Sequence, residues 1–316
     1  MKKFIKIAGV GLTILALVIA GVLTWVNLSS LPTYPVQAID IQVPKDSLSI
    51  AKGRKIAETV CAYCHRSENG VLDGRMFTKP DSDFGEIWAG NLTHHANGLN
   101  RYSDGELAYL LRTGIKRDGK FLGPFMLFPT MSDKDLGSLI AYLRSDAPSL
   151  QASEAVHTTN YSLLAKALMK FGALKPMTYE GKAVEAPSNT NKVAYGRYLA
   201  TSNYMCYECH SGSFETNDVL VPENSVRYFG GGSPVDDMDF NIITSPNLTP
   251  HPEHGIGQWT YEQFKMAVTS GIRPDGRALS TAMPRFALLD DAELDAIWAY
   301  LKTVPPLGPV TAKAEN

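Results

Sequence analysis

Two short stretches concentrate the side chains able to do chemistry: CAYCH at 61–65 and CYECH at 206–210. They hold all four cysteines of the chain, so none is left for a disulfide elsewhere. Two thiols with two residues between them, then a histidine, fit three chemistries. A structural zinc site needs four ligands in tetrahedral array, which pairing the two stretches would supply as four thiolates. A redox dithiol uses the same spacing within a βαβ setting, and no such pattern surrounds either stretch. Covalent haem attachment places the two thiols one helical turn apart, in reach of the two vinyl groups of one porphyrin edge. The next residue is then the proximal iron ligand. Because each stretch sits in its own repeat, independent sites are expected. The reading is two covalently bound haem c groups, through thioethers from Cys61, Cys64, Cys206 and Cys209, with His65 and His210 on the irons.

The elements that must position these residues are duplicated. A helical stretch beginning at Gly53-Arg54 leads into the first motif, and one beginning at Gly196-Arg197 leads into the second. NLTHH at 91–95 answers NLTPH at 247–251, and 102–120 answers 259–277. Ser103 with Glu106 and Thr260 with Gln263 form capping-box pairs before apolar residues at helical spacing. Ser132 with Asp135 and Asp290 with Glu293 open a last helix in each half. Leu136, Leu139, Ile140 and Leu143 share one face there, as do Leu294, Ile297, Trp298 and Leu301. Nothing alternates at period two for long enough to argue a sheet, so the expected fold class is all-α. The expected organisation is an anchor or signal at 1–30, a first domain at 45–147, a linker at 148–190, a second domain at 191–306 and a tail at 307–316. Within the linker, Leu163, Leu164, Ala167, Leu168 and Phe171 line one helical face, expected to pack against one or both domains.

A second iron ligand is sought downstream. Met126 and Met283 both fall twelve residues after an aligned glycine, Gly114 and Gly271, on Pro-containing loops. That is the pattern of His/Met ligation, with a place among core methionines as the plain alternative and Met131 as a nearby substitute for Met126. His94, His95, His251 and His254 lie in polar loops, where solvent exposure is expected and a bis-histidine site is the lesser alternative. His157 carries no site argument.

Composition bounds the rest. The 316 residues are 44% hydrophobic and 20% charged, values of a folded globular protein long enough for about two domains. Lys2, Lys3 and Lys6 precede an uncharged apolar run from Ile7 to Val26, long enough to cross a bilayer. The lysines keep the N-terminus cytoplasmic and send the remainder outward. A cleaved signal peptide, ending near Ala20, is the rival, and both readings export the protein. Setting those three lysines aside leaves 27 basic against 32 acidic residues, with no basic stripe, so nucleic acid is not an expected partner.

CAYCH, NLT, YSDGELAYLLRTGIKRDGK and MLFPTMSDKDLGSLIAYL in the first half, with NLTPHPEHGIGQWTYEQF and AMPRFALLDDAELDAIWAYL in the second, are similar to the cytochrome c subunits of bacterial membrane-bound alcohol and gluconate dehydrogenases. Related di-haem cytochromes c share the likeness, which covers about 45–306. The resemblance implies two tandem class I cytochrome c domains behind an N-terminal transmembrane helix, in the inner membrane with the haem domains in the periplasm. It also implies electron transfer from a dehydrogenase or quinol donor to a respiratory acceptor, with a dehydrogenase subunit, a terminal oxidase or a soluble cytochrome as redox partner. Met126 and Met283 fall on the family's axial-methionine loop. Those subunits carry three haem motifs where this chain has two, and the family's Met-Pro is kept at Met283–Pro284 but is Met126–Leu127 in the first half. Six-coordinate haems have no open position, so no catalysis of the chain's own is expected; the alternative is a di-haem oxidoreductase, a peroxidase or a thiosulfate-type dehydrogenase.

Overall fold

A computed structural model describes residues 2–310. Of the expected tail, 311–316 lie outside the described residues. Helix α1 (Lys2–Leu28) leaves its large apolar side chains exposed except Val26. From Lys3 to Leu28 it is long and apolar enough to cross a membrane. The first repeat follows with α2 (Ser47–Ile56), a π-helical turn over Ala57–Cys61, α3 (Ala62–His65), α4 (Asp104–Thr113) and α5 (Asp133–Leu143). After α6 (Leu163–Lys170), the second repeat sets out α7 (Lys192–Tyr198), a π-helical turn over Leu199–Asn203, α8 (Cys206–His210), α9 (Tyr261–Ser270) and α10 (Asp291–Leu301).

The all-α expectation is corrected. Strands β1 (Met76–Thr78), β2 (Gly85–Trp88) and β3 (Asn160–Tyr161) form an antiparallel sheet in the order β1-β2-β3, and β4 (Pro234–Asp236) pairs antiparallel with β5 (Ile242–Thr244). Ladders of two to four residues are too short to carry a readable alternation of apolar and polar side chains. β3 lies in the segment read as linker, so that segment is built into the first repeat through β2.

Both capping boxes form as read, at Ser103/Glu106 and Thr260/Gln263, and both helices end on left-handed glycines, Gly114 and Gly271. The helix entering the first motif begins not at Gly53 but at Ser47, behind the Asp46 cap. The two glycines serve packing instead. A Cβ on Gly53 would stand 1.9 Å from the Ser138 carbonyl oxygen of α5, and one on Gly196 would stand 1.8 Å from that of Ala296 in α10. Only glycine lets these backbones touch.

The halves meet through two buried carboxylates in equivalent places. Asp135 in the first turn of α5 accepts from Tyr198 Oη (2.7 Å) and Asn203 Nδ2 (2.8 Å) of the second repeat, and Lys52 of its own repeat pairs with it. Glu293 in the first turn of α10 accepts from Lys55 Nζ (2.7 Å) of the first repeat. Lys55 follows Gly53 by two residues, as Tyr198 follows Gly196. The contact is therefore reciprocal: each repeat's entry helix reaches the start of the other's last helix.

Candidate functional site

His65 closes α3 with its ring buried, and its Nδ1 donates to the Gly90 carbonyl at 2.7 Å. Burial, against that hydrogen bond and helped by the nearby Arg75 charge, pushes the ring down to about 4, so it is neutral at pH 7. The carbonyl acceptor assigns the single ring proton to Nδ1 and leaves a lone pair on Nε2. That Nε2 faces Met126 Sδ at 3.0 Å. Two lone-pair donors, nitrogen and thioether, thus converge with no proton between them, the donor set of a His/Met iron site. Met126 itself holds a left-handed backbone, φ 58°, which a non-glycine residue adopts only when its surroundings compel it.

In the second motif His210 is likewise buried, its Nδ1 bonded to the Pro246 carbonyl at 3.0 Å, and burial lowers its basicity. Met283 is half-buried against the core, and no contact like that of His65 with Met126 joins it to His210. The loops bearing the two methionines are nonetheless built alike. Ile115 bridges Phe121 where Ile272 bridges Ala278, and Leu122 N–H bonds Gly114 as Leu279 N–H bonds Gly271. An arginine pins each loop: buried Arg112 donates to the Phe128 and Met131 carbonyls, and Arg285 to those of Leu279 and Met283.

The four cysteines are free, and burial pushes each thiol up to about 12. They are protonated, unlike the low-pKa thiolate of a reactive dithiol. Among the described residues no three His, Cys, Asp or Glu side chains gather as a zinc site requires. Met131, the substitute ligand, is fully buried in the core. His94 donates to the Leu143 carbonyl, and the Nδ1 atoms of His95 and His251 accept loop N–H groups, so these histidines are spent on loop structure. His157 stacks on Trp88 with ring centroids 4.6 Å apart and bonds the Asp73 carbonyl.

Sequence reasoning missed the two carbonyls that orient the histidines. Gly90 and Pro246 each immediately precede NLT, and that repeated motif was the available signal. Its asparagine folds the turn: Asn91 Oδ1 accepts from Thr93 N at 2.8 Å, and Asn247 Oδ1 from Thr249 N at the same distance. The amide then holds a returning segment, Ser153 in the first repeat and Leu307 in the second, at 2.8 and 2.7 Å. Between the second pair of thiols, burial pushes the Glu208 carboxyl up to about 7.

No protein-family model matches the chain. It is similar to the fructose dehydrogenase cytochrome subunit of Gluconobacter japonicus, 28% identical over 281 residues, 85% of this chain and 54% of that protein. It is 26% identical over 277 residues to the cytochrome c subunit of the quinone alcohol dehydrogenase of Komagataeibacter europaeus, covering 84% and 58%. A diheme cytochrome c-type protein of Cereibacter sphaeroides matches at 26% over 103 residues, 32% of each chain. The chain spans a little over half the length of the first two. The resemblance to cytochrome c subunits of sugar and alcohol dehydrogenases therefore holds across most of this chain.

Proposed function

We propose that this chain is an exported, membrane-anchored di-haem cytochrome c that relays electrons from a dehydrogenase or quinol donor to a respiratory acceptor. The observation that carries the proposal is the meeting of Met126 Sδ with Nε2 of His65, the residue that ends the CAYCH motif. Haem c, when bound, supplies a one-electron iron couple, which His/Met ligation moves to higher potential. Cys61 and Cys64 hold one haem and Cys206 and Cys209 the other. Each of these thiols would tether the group by adding its S–H across a vinyl double bond, so that no other reactant is needed. The Gly90 and Pro246 carbonyls keep the protons of His65 and His210 on Nδ1, so both Nε2 lone pairs stay free for iron. Met126 Sδ, facing the His65 lone pair, would be the second protein donor to a bound iron, and Met283 would take the same part in the second repeat. Helix α1 is the anchor, and the repeats lie on its outer, periplasmic side. The similarity to dehydrogenase cytochrome subunits supports a dehydrogenase as the donor.

The test is a pyridine haemochrome count on purified protein after acid-acetone extraction. Two haems per chain, both remaining with the polypeptide, are expected, falling to one in Cys61→Ser/Cys64→Ser and in Cys206→Ser/Cys209→Ser. Colour that leaves with the solvent overturns the proposal. Rapid turnover of added peroxide or thiosulfate by the native protein would replace the carrier with a di-haem oxidoreductase.

A further inference from the structure

Helix α6 presents its apolar face the wrong way for a soluble protein. Ala165 and Met169 are its buried residues, while Leu163, Leu164 and Phe171 are 42%, 51% and 66% exposed. The stripe expected to pack on a domain is mostly turned outward. Against this, α6 is firmly seated. Ser162 caps it and bonds the Asp83 carbonyl, the Ser162 N–H donates to Phe84 O, and the preceding β3 pairs with β2. A seated helix with large apolar side chains facing out needs something apolar outside.

What lies beside it is the outer end of α1. Lys166 Nζ donates to Asn27 Oδ1 at 3.0 Å, and Lys170 Nζ to Ser29 O at 2.7 Å. The Lys170 ammonium stands 4.9 Å over the Trp25 ring, whose centroid is 6.0 Å from that of Phe171. The apolar run Ile7–Val26 covers about 30 Å as helix, the thickness of a bilayer's hydrocarbon core. Its end therefore brings Trp25 to the boundary where aromatic and lysine side chains settle. The exposed Phe171 ring at the end of α6 meets the exposed Trp25 ring of α1 at that level.

We infer that α6 lies in the outer membrane–water interface, with Leu163, Leu164 and Phe171 among the acyl chains and Lys166 and Lys170 at the headgroup level. This rests on reading α1 as a membrane span. The contact gives the first repeat a second footing on the bilayer, so the repeat cannot swivel freely about α1. It also brings the first site toward the membrane. Tyr161 Oη bonds the Leu122 carbonyl, and Met169 comes within 4.0 Å of where a side chain on Gly123 would begin, both on the loop that carries Met126.

The test reconstitutes the full haem-loaded chain in phosphatidylglycerol/phosphatidylethanolamine liposomes that contain a lipid with a photoactivatable carbene precursor on its acyl tail. Labelled residues are then mapped by peptide mass spectrometry. Label is expected on α1 and on Leu163, Leu164 and Phe171. In Leu164→Glu/Phe171→Glu, label on α6 should fall about tenfold while label on α1 is unchanged, since two large apolar side chains facing the acyl chains are replaced by charges. Label on α1 without label on α6 in the native chain overturns this inference and leaves the anchor standing, whether or not the variant folds. Undiminished α6 label in the folded variant overturns it as well. An unlabelled α1 removes the anchor reading and this inference together.

Discussion

The two repeats use one frame to make two different sites. In the first, the π-helical turn runs without a break into α3, and Met126 reaches His65. Cys206 follows Gly196 by ten positions, where Cys61 follows Gly53 by eight. The excess is taken up at Met205, whose left-handed backbone (φ 46°) interrupts the entry into α8. The strain thus sits on the methionine loop in one half and on the cysteine approach in the other. Their charges differ too. Glu58 ties the first motif's helix to Arg66, Tyr142 and Ser149. Its counterpart Thr201 only bonds its own helix. A repeated motif fixes which group is bound, while these surroundings set how tightly and at what potential it works.

The largest effects are expected at the glycine contacts that both repeats share. Gly53→Ala and Gly196→Ala each push a Cβ into a backbone carbonyl. The loss should exceed the roughly 1 kcal/mol that alanine gains over glycine within a helix, for a net destabilisation of about 2–3 kcal/mol in urea unfolding. Equal tolerance of both would mean the helix pairs do not touch there. Next come the two methionines proposed as iron ligands. Met126→Ala and Met283→Ala should each remove about half of the near-infrared sulfur-to-iron band of the oxidised protein, lower that haem's potential and admit carbon monoxide. Met131→Ala should leave the band whole. If Met283→Ala leaves the band unchanged, the second site is a different one and the halves diverge further than proposed.

Smaller effects sharpen the interface. Tyr198→Phe removes a donor from buried Asp135 and should cost about 1–2 kcal/mol. Lys55→Met at the reciprocal contact should cost about 1 kcal/mol or less, because that ammonium is partly exposed and screened. The reverse order would place the tighter contact at Glu293. Smallest is Glu58. Burial alone would raise its carboxyl, but Ser149, Tyr142 and Arg66 hold it below its ordinary 4.5. Its contribution is therefore complete above that value and lost as pH falls through the folded one. Glu58→Gln should flatten the acid decline of Tm below about pH 4.5 by the equivalent of about 1 kcal/mol or less.

Much of this was legible because it is local. A capping box needs only Ser103 and Glu106, and an apolar face only the spacing of Leu136, Leu139, Ile140 and Leu143, all of them buried. The offset that singles out Met126 is likewise counted within one loop, and its Sδ lies 3.0 Å from His65 Nε2. What escaped depends on partners distant in sequence. Gly53 reads as a helix start until the Ser138 carbonyl is known to lie against it. β2 is four residues whose pairing with β1 and β3 no alternation announces. The outward turn of Leu164 follows from where α1 ends, and periodicity alone names an apolar face without saying what covers it.

The crossed contact between Lys55 and Glu293, and between Tyr198 and Asp135, is the pattern of a two-fold symmetric pair, in which residue i meets j′ and j meets i′. In a homodimer every substitution is made twice, and both copies must tolerate it. Joining the copies in one polypeptide lifts that restriction. Lysine and tyrosine now occupy matching places, each still reaching its carboxylate. On the proposed ligation, the same freedom lets Met126 and Met283 be altered singly, so one molecule would hold two centres of unequal potential, which no symmetric pair of identical subunits provides.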